Sequence, residues 1–369
     1  MAKSKRDLHN KPFDEGTKEK LAIFKDYLRE WLPVFFSRKE IIWNTINIFD
    51  FFAGPGADIN EYKGTPLIIT DELTPYFNTI IKKKLTVNLY FNEFEKAKYE
   101  ELKTRLLPED EDLRPYSIEI ENFDFLDSFR KQVPNMAKKG CANLLYLDQY
   151  GVKHISEDVF KEIINLKTTD FLFFVSSSTI KRFSDHPSIN QYIKLNSDDI
   201  DKVPSNQIHR KIEEYYKSLI PQNQSYYLSS YSLKKNSNIY GLIFGSGHIL
   251  GIEKFISTCW KIDKERGEAN FDIDQDRIIP GQRDIFTGEV SKPKKVELFE
   301  RELEEKILNK QLQTDRDIYL YAIDKRFTVS QTNVVIRRLI TLRKIAKCTL
   351  NLTHKICLST TKLTTIKVL

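Results

Sequence analysis

Ile46-Asn47-Ile48-Phe49-Asp50-Phe51-Phe52-Ala53-Gly54-Pro55-Gly56 is the stretch from which the rest of the chain is read. A short run with apolar residues on both faces predicts a strand buried inside a parallel sheet. The two glycines after it allow a tight turn and let a ligand lie against the main chain. Ligands of open α/β sheets sit outside the carboxyl ends of the strands. An acid at a strand end followed by a glycine turn suits a cofactor with an ammonium and a ribose better than one with a pyrophosphate. S-adenosylmethionine is such a cofactor. In this reading Asp50 meets its methionyl amine, Phe52 borders the site, and Ala53 to Gly56 pass beneath the methionyl part. The plain alternative is a tight turn after a core strand.

Working outward, Thr17 to Ser37 reads as a helix, because Leu21, Phe24, Leu28, Trp31 and Leu32 recur at helical spacing. Thr65 is placed to cap a helix that has Pro66 in its first turn and extends to about Lys84. Thr86 to Glu93 predicts a second strand with Glu93 at its carboxyl end, and a charged helix from Phe94 to Leu107 follows. An acid there hydrogen-bonds both hydroxyls of a cofactor ribose; a helix-start acid favoured by the macrodipole is the alternative. Tyr116 to Phe125 is a third strand, with Asp124 set to meet an adenine amino group and Phe123 or Phe125 to lie on the ring. Ala142 to Asp148 is a fourth strand, running into Gln149-Tyr150-Gly151. A helix at 157–166 and a fifth strand from Asp170 to Ser176 follow.

Residues 183–225 break this rhythm and read as an insertion forming a lid or substrate-binding face, with a helix from Asn206 to Leu219. Tyr226 to Lys234 and Ile239 to Gly245 flank Lys235-Asn236-Ser237-Asn238, a hairpin signal. A helix from His248 to Trp260 closes the unit. Successive β-α units with a terminal antiparallel hairpin predict an α/β class I methyltransferase-like Rossmann sheet. The expected domains are a tail and helix at 1–40, this domain at 41–265, a linker at 266–295 and a C-terminal module at 296–369.

The 369 residues carry a net charge of +6, unevenly spread. From Ser330 to Leu369 there is no Asp or Glu but eight Lys or Arg, which leaves residues 1–329 at −2. Phosphate backbones select such a distribution, although a solvated basic tail is also possible. Helices over Val296–Leu312, Thr314–Lys325 and Ser330–Arg343, then strands at Ile345–Leu350 and Lys355–Leu358, describe a winged helix. Arg337, Arg338, Arg343, Lys344, Lys347 and Lys355 are its expected nucleic-acid contacts, DNA before RNA. Four scattered cysteines without CxxC spacing argue against disulfides and structural zinc, and no metal is expected. No run of 18 apolar residues exists and Met1 to Lys11 lacks an apolar core, so a cytoplasmic protein with no membrane role is expected.

With these segments laid out, the chain resembles the three-Cys-motif partner (TcmP) family of bacteria. The likeness lies in Thr17-Lys18-Glu19-Lys20-Leu21, Phe52-Ala53-Gly54-Pro55-Gly56, Gly64-Thr65-Pro66-Leu67, Leu147-Asp148-Gln149-Tyr150-Gly151 and Trp260 to Phe271, and in the C-terminal module. It covers roughly residues 15–360. The resemblance implies a methyltransferase-like domain that binds S-adenosylmethionine, often encoded beside a radical-SAM-like protein with three cysteines, in mobile or defence-type loci. Gln149 stands where that family usually has proline and lacks its fixed φ. The first expectation is methyl transfer to nucleic acid, with S-adenosylhomocysteine as product. Asp148 would orient or deprotonate the acceptor, and Tyr150 would stack on an extruded base. The rival expectation is a non-catalytic adaptor that brings a radical-SAM-like partner to DNA.

Overall fold

The computed structural model describes every residue outside 1–10, 108–113, 150–153, 185, 187–191, 195–199, 201, 280, 284–287, 289 and 359–360. Two compact units make up the chain, the first ending at Gly251 and the second starting at Ile252.

Seven strands form one sheet in the first unit: β1 (Thr45–Asp50), β2 (Thr86–Asn92), β3 (Ser117–Glu121), β4 (Cys141–Leu147), β5 (Thr169–Val175), β6 (Tyr227–Lys235) and β7 (Asn238–Ser246). Their order is β3-β2-β1-β4-β5-β7-β6. The first five run parallel, while β7 is antiparallel to both β5 and β6. β4 lies in the middle with β1 beside it and is buried along its whole length, as expected for strands covered by helices on both faces.

A row of polar side chains crosses the five parallel strands. Ser117 donates to Asn88, Asn88 to Asn47 and Asn47 to Asn143, each at 2.8 Å, and Asn143 donates to Thr169 at 3.0 Å. These residues are register partners along the sheet. A one-residue slip of any strand would leave buried amides without partners, so this row selects the register.

Among the described residues before 183, helices α1 (Glu15–Phe36), α2 (Thr65–Leu73), α3 (Phe77–Lys83), α4 (Lys96–Leu106), α5 (Phe125–Met136), α6 (Glu157–Asn165) and α7 (Ser177–Arg182) join or flank these strands. The helix expected from Thr65 to Lys84 is two helices separated by a 3-10 turn at Thr74-Pro75-Tyr76, because Pro75 removes one helical N–H donor. Its cap is Gly64, with no side-chain bond, and Thr65 is the first helical residue.

The described part of the expected insertion includes α8 (Ile208–Ser218). Its Ile208, Ile212 and Tyr216 join the core, and the Tyr216 hydroxyl donates to Ile155 O at 2.7 Å. This helix therefore packs on the sheet, after α7 and before β6. Residues 108–113, Tyr150 and Gly151 lie outside the described residues.

In the second unit, α9 (Ile249–Ile262) crosses the division at Gly251. The expected boundary at 265 falls later, but residues of α9 beyond Gly251 already belong to the second unit. The Trp260 Nε1–H donates to Arg326 O at 2.8 Å, and Tyr319 donates to Glu253 at 2.5 Å. The expected linker at 266–295 begins as an ordered ionic network. Asp263 accepts four backbone N–H groups, Arg266 pairs with Asp272 and Asp276, and buried Glu268 pairs with Lys295 and Arg326.

Three helices follow: α10 (Lys294–Leu308), α11 (Asp315–Asp324) and α12 (Val329–Thr341). Thr314 with Asp317, and Thr328 with Gln331, form capping boxes that start the last two. The strands expected at Ile345–Leu350 and Lys355–Leu358 are corrected. His354–Cys357 is a 3-10 turn, and among the described residues the extended segments meet in single bridges, Thr314 with Thr365 and Ile345 with Val368. Thr353 and Asn351 bond locally instead of extending a ladder.

Candidate active site

The carboxyl ends of β1, β2 and β4 place Asp50, Glu93 and Asp148 along one edge of the sheet. Asp50 is 1% exposed. Its Oδ1 accepts the Phe52 N–H at 3.0 Å, whereas Oδ2 has no hydrogen-bond partner among the described residues. Burial pushes this carboxyl up to about 8; the Phe52 N–H opposes the rise and the neighbouring Asp148 charge adds to it. A buried carboxylate oxygen lacking a donor is suited to a ligand ammonium.

The turn after β1 is built by close backbone approach. Gly54 and Gly56 have φ of 62° and 91°, a region open to glycine at little cost. Gly64 N–H donates to Gly56 O at 2.7 Å, and a Cβ on Gly64 would lie 2.9 Å from that oxygen. Asp58 closes the loop by accepting the N–H groups of Phe13, Asn60 and Tyr62 at 2.6, 2.9 and 2.8 Å. Ala53 is buried in the same turn, and its N–H donates to Asn92 O.

Glu93 joins this turn to the second strand. Its Oε2 accepts Gly54 N–H at 2.9 Å and its Oε1 accepts Glu95 N–H at 2.7 Å. Each oxygen keeps a further lone pair, so two ribose hydroxyls remain acceptable partners. Burial raises its pKa and the two N–H groups oppose that.

Asp124 caps α5 by accepting Leu126 N–H at 3.0 Å and is exposed. Of the two expected ring partners, Phe125 is buried and stacks on Phe52 at 5.1 Å, while Phe123 is 45% exposed. Sequence reasoning passed over three residues. Asn92, buried at the end of β2, donates to Phe123 O at 3.1 Å and accepts Phe123 N–H at 3.0 Å. Phe94, 69% exposed, follows Glu93 directly; an aromatic beside the strand-end acid was the available signal. Lys20 is the third. It comes from α1 to pair with Asp148 and lies 4.8 Å over the Phe174 ring.

Gln149 stands 5% exposed behind Asp148. It donates to Phe174 O at 3.0 Å and accepts the N–H groups of His154 and Ile155 at 2.9 and 3.2 Å. Three backbone bonds thus hold the segment that a proline would otherwise stiffen. Tyr150 lies outside the described residues.

The expected basic contacts divide in the second unit. Arg337, Arg343, Lys344, Lys347 and Lys355 are exposed. Arg338 instead turns back onto α10, pairing with Glu300 at 2.8 Å and Glu304 at 3.2 Å, and Lys344 also pairs with Glu304 at 2.5 Å. A cavity of about 480 Å³ opens beside these pairs, lined by Lys292, Glu300, Glu304 and Arg338 among others. Among the described residues no cluster of His, Cys, Asp and Glu suits a metal ion, and no helix is long and apolar enough to cross a membrane.

The strand order, five parallel strands closed by an antiparallel β7 between β5 and β6, is that of class I methyltransferases. The chain has that fold. No family model and no curated protein matches the sequence. Solved structures similar to it include Trm1 from Pyrococcus horikoshii in complex with S-adenosyl-L-methionine, at 11% identity over 70% of this chain and 63% of that one (TM-score 0.35). Others are the DszA carbon methyltransferase (11%, 60% and 53%, 0.32) and the METTL16 methyltransferase domain (8%, 61% and 83%, 0.30). The similarity spans less than two thirds of the first two proteins' length. Likenesses this distant carry no substrate or cofactor with them, and the fold rests on the topology.

Proposed function

We propose that this chain is an S-adenosylmethionine-dependent methyltransferase acting on nucleic acid, of the three-Cys-motif partner kind. The observation that carries the reading is the strand-end row of Asp50, Glu93 and Asp148 around a glycine turn whose Gly54 N–H is held by Glu93. Asp50 Oδ2 takes the methionyl ammonium, Glu93 takes the ribose hydroxyls, and Phe94 and Phe123 border the adenine with Asp124 at its amino group. Bound there, the cofactor supplies an activated methyl group. Asp148 orients the acceptor and takes its proton, which requires Lys20 to release it, and Tyr150 follows in sequence as the residue to stack on a base.

The second unit serves the nucleic acid in this reading. Helices α10 to α12, followed by extended segments bridged at Thr314–Thr365 and Ile345–Val368, are read as a winged helix with α12 as the recognition helix. The adaptor alternative draws on one observation: Lys20 already pairs with Asp148 Oδ2. Incubation with radiolabelled S-adenosylmethionine and DNA or RNA, alongside calorimetry, separates the two. Label in nucleic acid supports the enzyme; tight binding with no transfer to any substrate favours the adaptor; absence of binding removes the cofactor assignment.

A further inference from the structure

We infer that the first unit holds a second ligand site, away from the strand-end row, for the phosphate and ring of a nucleoside phosphate. A cavity of about 610 Å³ opens where α1 and α3 end. It adjoins the segments leading into β1 and β2, whereas Asp50 and Glu93 stand where those strands finish. Pockets for small ligands measure roughly 300–1,000 Å³.

The cavity has an aromatic side and a cationic side. Phe36 and Tyr76 form the first, with ring centroids 4.8 Å apart and planes tilted by 36°. Lys82, Lys83 and Lys84 form the second, Asn78 also lines the cavity, and among the described residues no Asp or Glu does. The Lys83 ammonium donates to the carbonyls of Phe36 and Arg38 at 2.6 and 2.5 Å. Those acceptors are neutral, so the charge is fixed in place without being cancelled. Lys82 and Lys84 are exposed and pair with no carboxylate among the described residues. Lysines in a last helical turn complement the macrodipole wherever they occur. Here three in succession also line a cavity with an aromatic wall, and an apolar ligand alone would leave all three charges unanswered. A phosphate answers them, since lysine binds phosphate as a point charge, and a planar base lies against Tyr76.

Two sources offer this chemistry, a free nucleotide and a nucleotide unit within a single strand. The test titrates the full chain with uridine diphosphate and, separately, with a short oligouridylate, by calorimetry at two salt concentrations. Uracil probes keep clear of an adenine site, so the result stands whether or not S-adenosylmethionine binds at the strand ends. The expected result is salt-sensitive binding that Lys82→Glu combined with Lys84→Glu weakens by about tenfold or more. Tyr76→Leu should weaken the diphosphate but leave inorganic pyrophosphate unchanged. Uridine diphosphate binding that the double variant weakens identifies a free nucleotide, and oligonucleotide binding that it weakens, apart from any held by the second unit, identifies a strand; either supports the site. No binding of either probe, or affinities untouched in the folded double variant, overturns it.

Discussion

The Lys20 ammonium donates to the Asp148 carboxylate and lies 4.8 Å over the Phe174 ring, so a helix that precedes the sheet reaches the acceptor side of the candidate site. The pair also acts on Asp50, whose pKa Lys20 lowers and Asp148 raises. Lys20→Met should therefore push the Asp50 titration higher and Asp148→Asn should bring it down. Carboxyl titration by NMR, with Asp50→Asn to assign the signal, would contradict this if both variants moved it the same way.

Stability should fall as pH rises toward 8. Burial lifts Asp50 from its ordinary 3.8 to about 8 and Asp170 to about 6. Between the unfolded and folded values the native state binds more protons than the unfolded one. The slope of unfolding free energy with pH is then negative. The contribution is full below about 3.8 and is lost as pH passes the folded pKa. Asp50→Asn should flatten the upper part of this decline and be more stable than wild type at pH 9. A wild-type denaturation midpoint that climbs between pH 5 and pH 8 would argue against it.

Cofactor binding should release a proton below pH 8. Free Asp50 is protonated there, and an ammonium at its Oδ2 favours the ionised form. Calorimetry of S-adenosylmethionine in buffers of different ionisation enthalpy reads this directly, and Asp50→Asn should abolish it. Glu93→Ala should weaken binding by about 1–3 kcal/mol. Glu93→Gln should retain part of that affinity, because its amide oxygen still accepts one N–H from the turn.

Gln149→Ala should destabilise the first unit by about 2 kcal/mol or more. It removes the donor to Phe174 O and the acceptor of the His154 and Ile155 N–H groups in a largely buried setting. Gln149→Pro should fare no better, since proline restores φ but none of the three bonds. Thermal unfolding of both variants decides it; a loss confined to Gln149→Ala would mean stiffness is what matters.

Arg337 and Arg338 should differ in duplex binding although they are neighbours. Arg337 is exposed, whereas Arg338 is tied to Glu300 and Glu304. Arg337→Ala should lower the salt slope of log affinity by about 0.9, and Arg338→Ala by much less. Equal effects in an anisotropy titration, or no duplex binding at low salt, would sink the assignment.

Much of this protein was legible in its residue pattern. Apolar runs ending in Asp50, Glu93 and Asp148 set out three strands and their acids, because the side-chain period of a buried strand and the needs of a glycine turn are local properties. The hairpin at Asn236-Ser237 and the helix starts at Thr314 and Thr328 were local as well. Four other features depended on chain segments meeting across long separations. Lys20 had no site role in the sequence, and packing brought it to Asp148. The Asn88, Asn47 and Asn143 row exists only once the strands pair in register. Gln149 looked like a lost proline, and the folded chain gives its amide three backbone partners. Arg338 looked free because the acids that hold it lie on α10, outside the acid-free tail. Sequence spacing determined which residues share a strand end or a helix face. Only the tertiary structure decided which charges answer one another, because Coulomb and hydrogen-bond energies depend on distance in space.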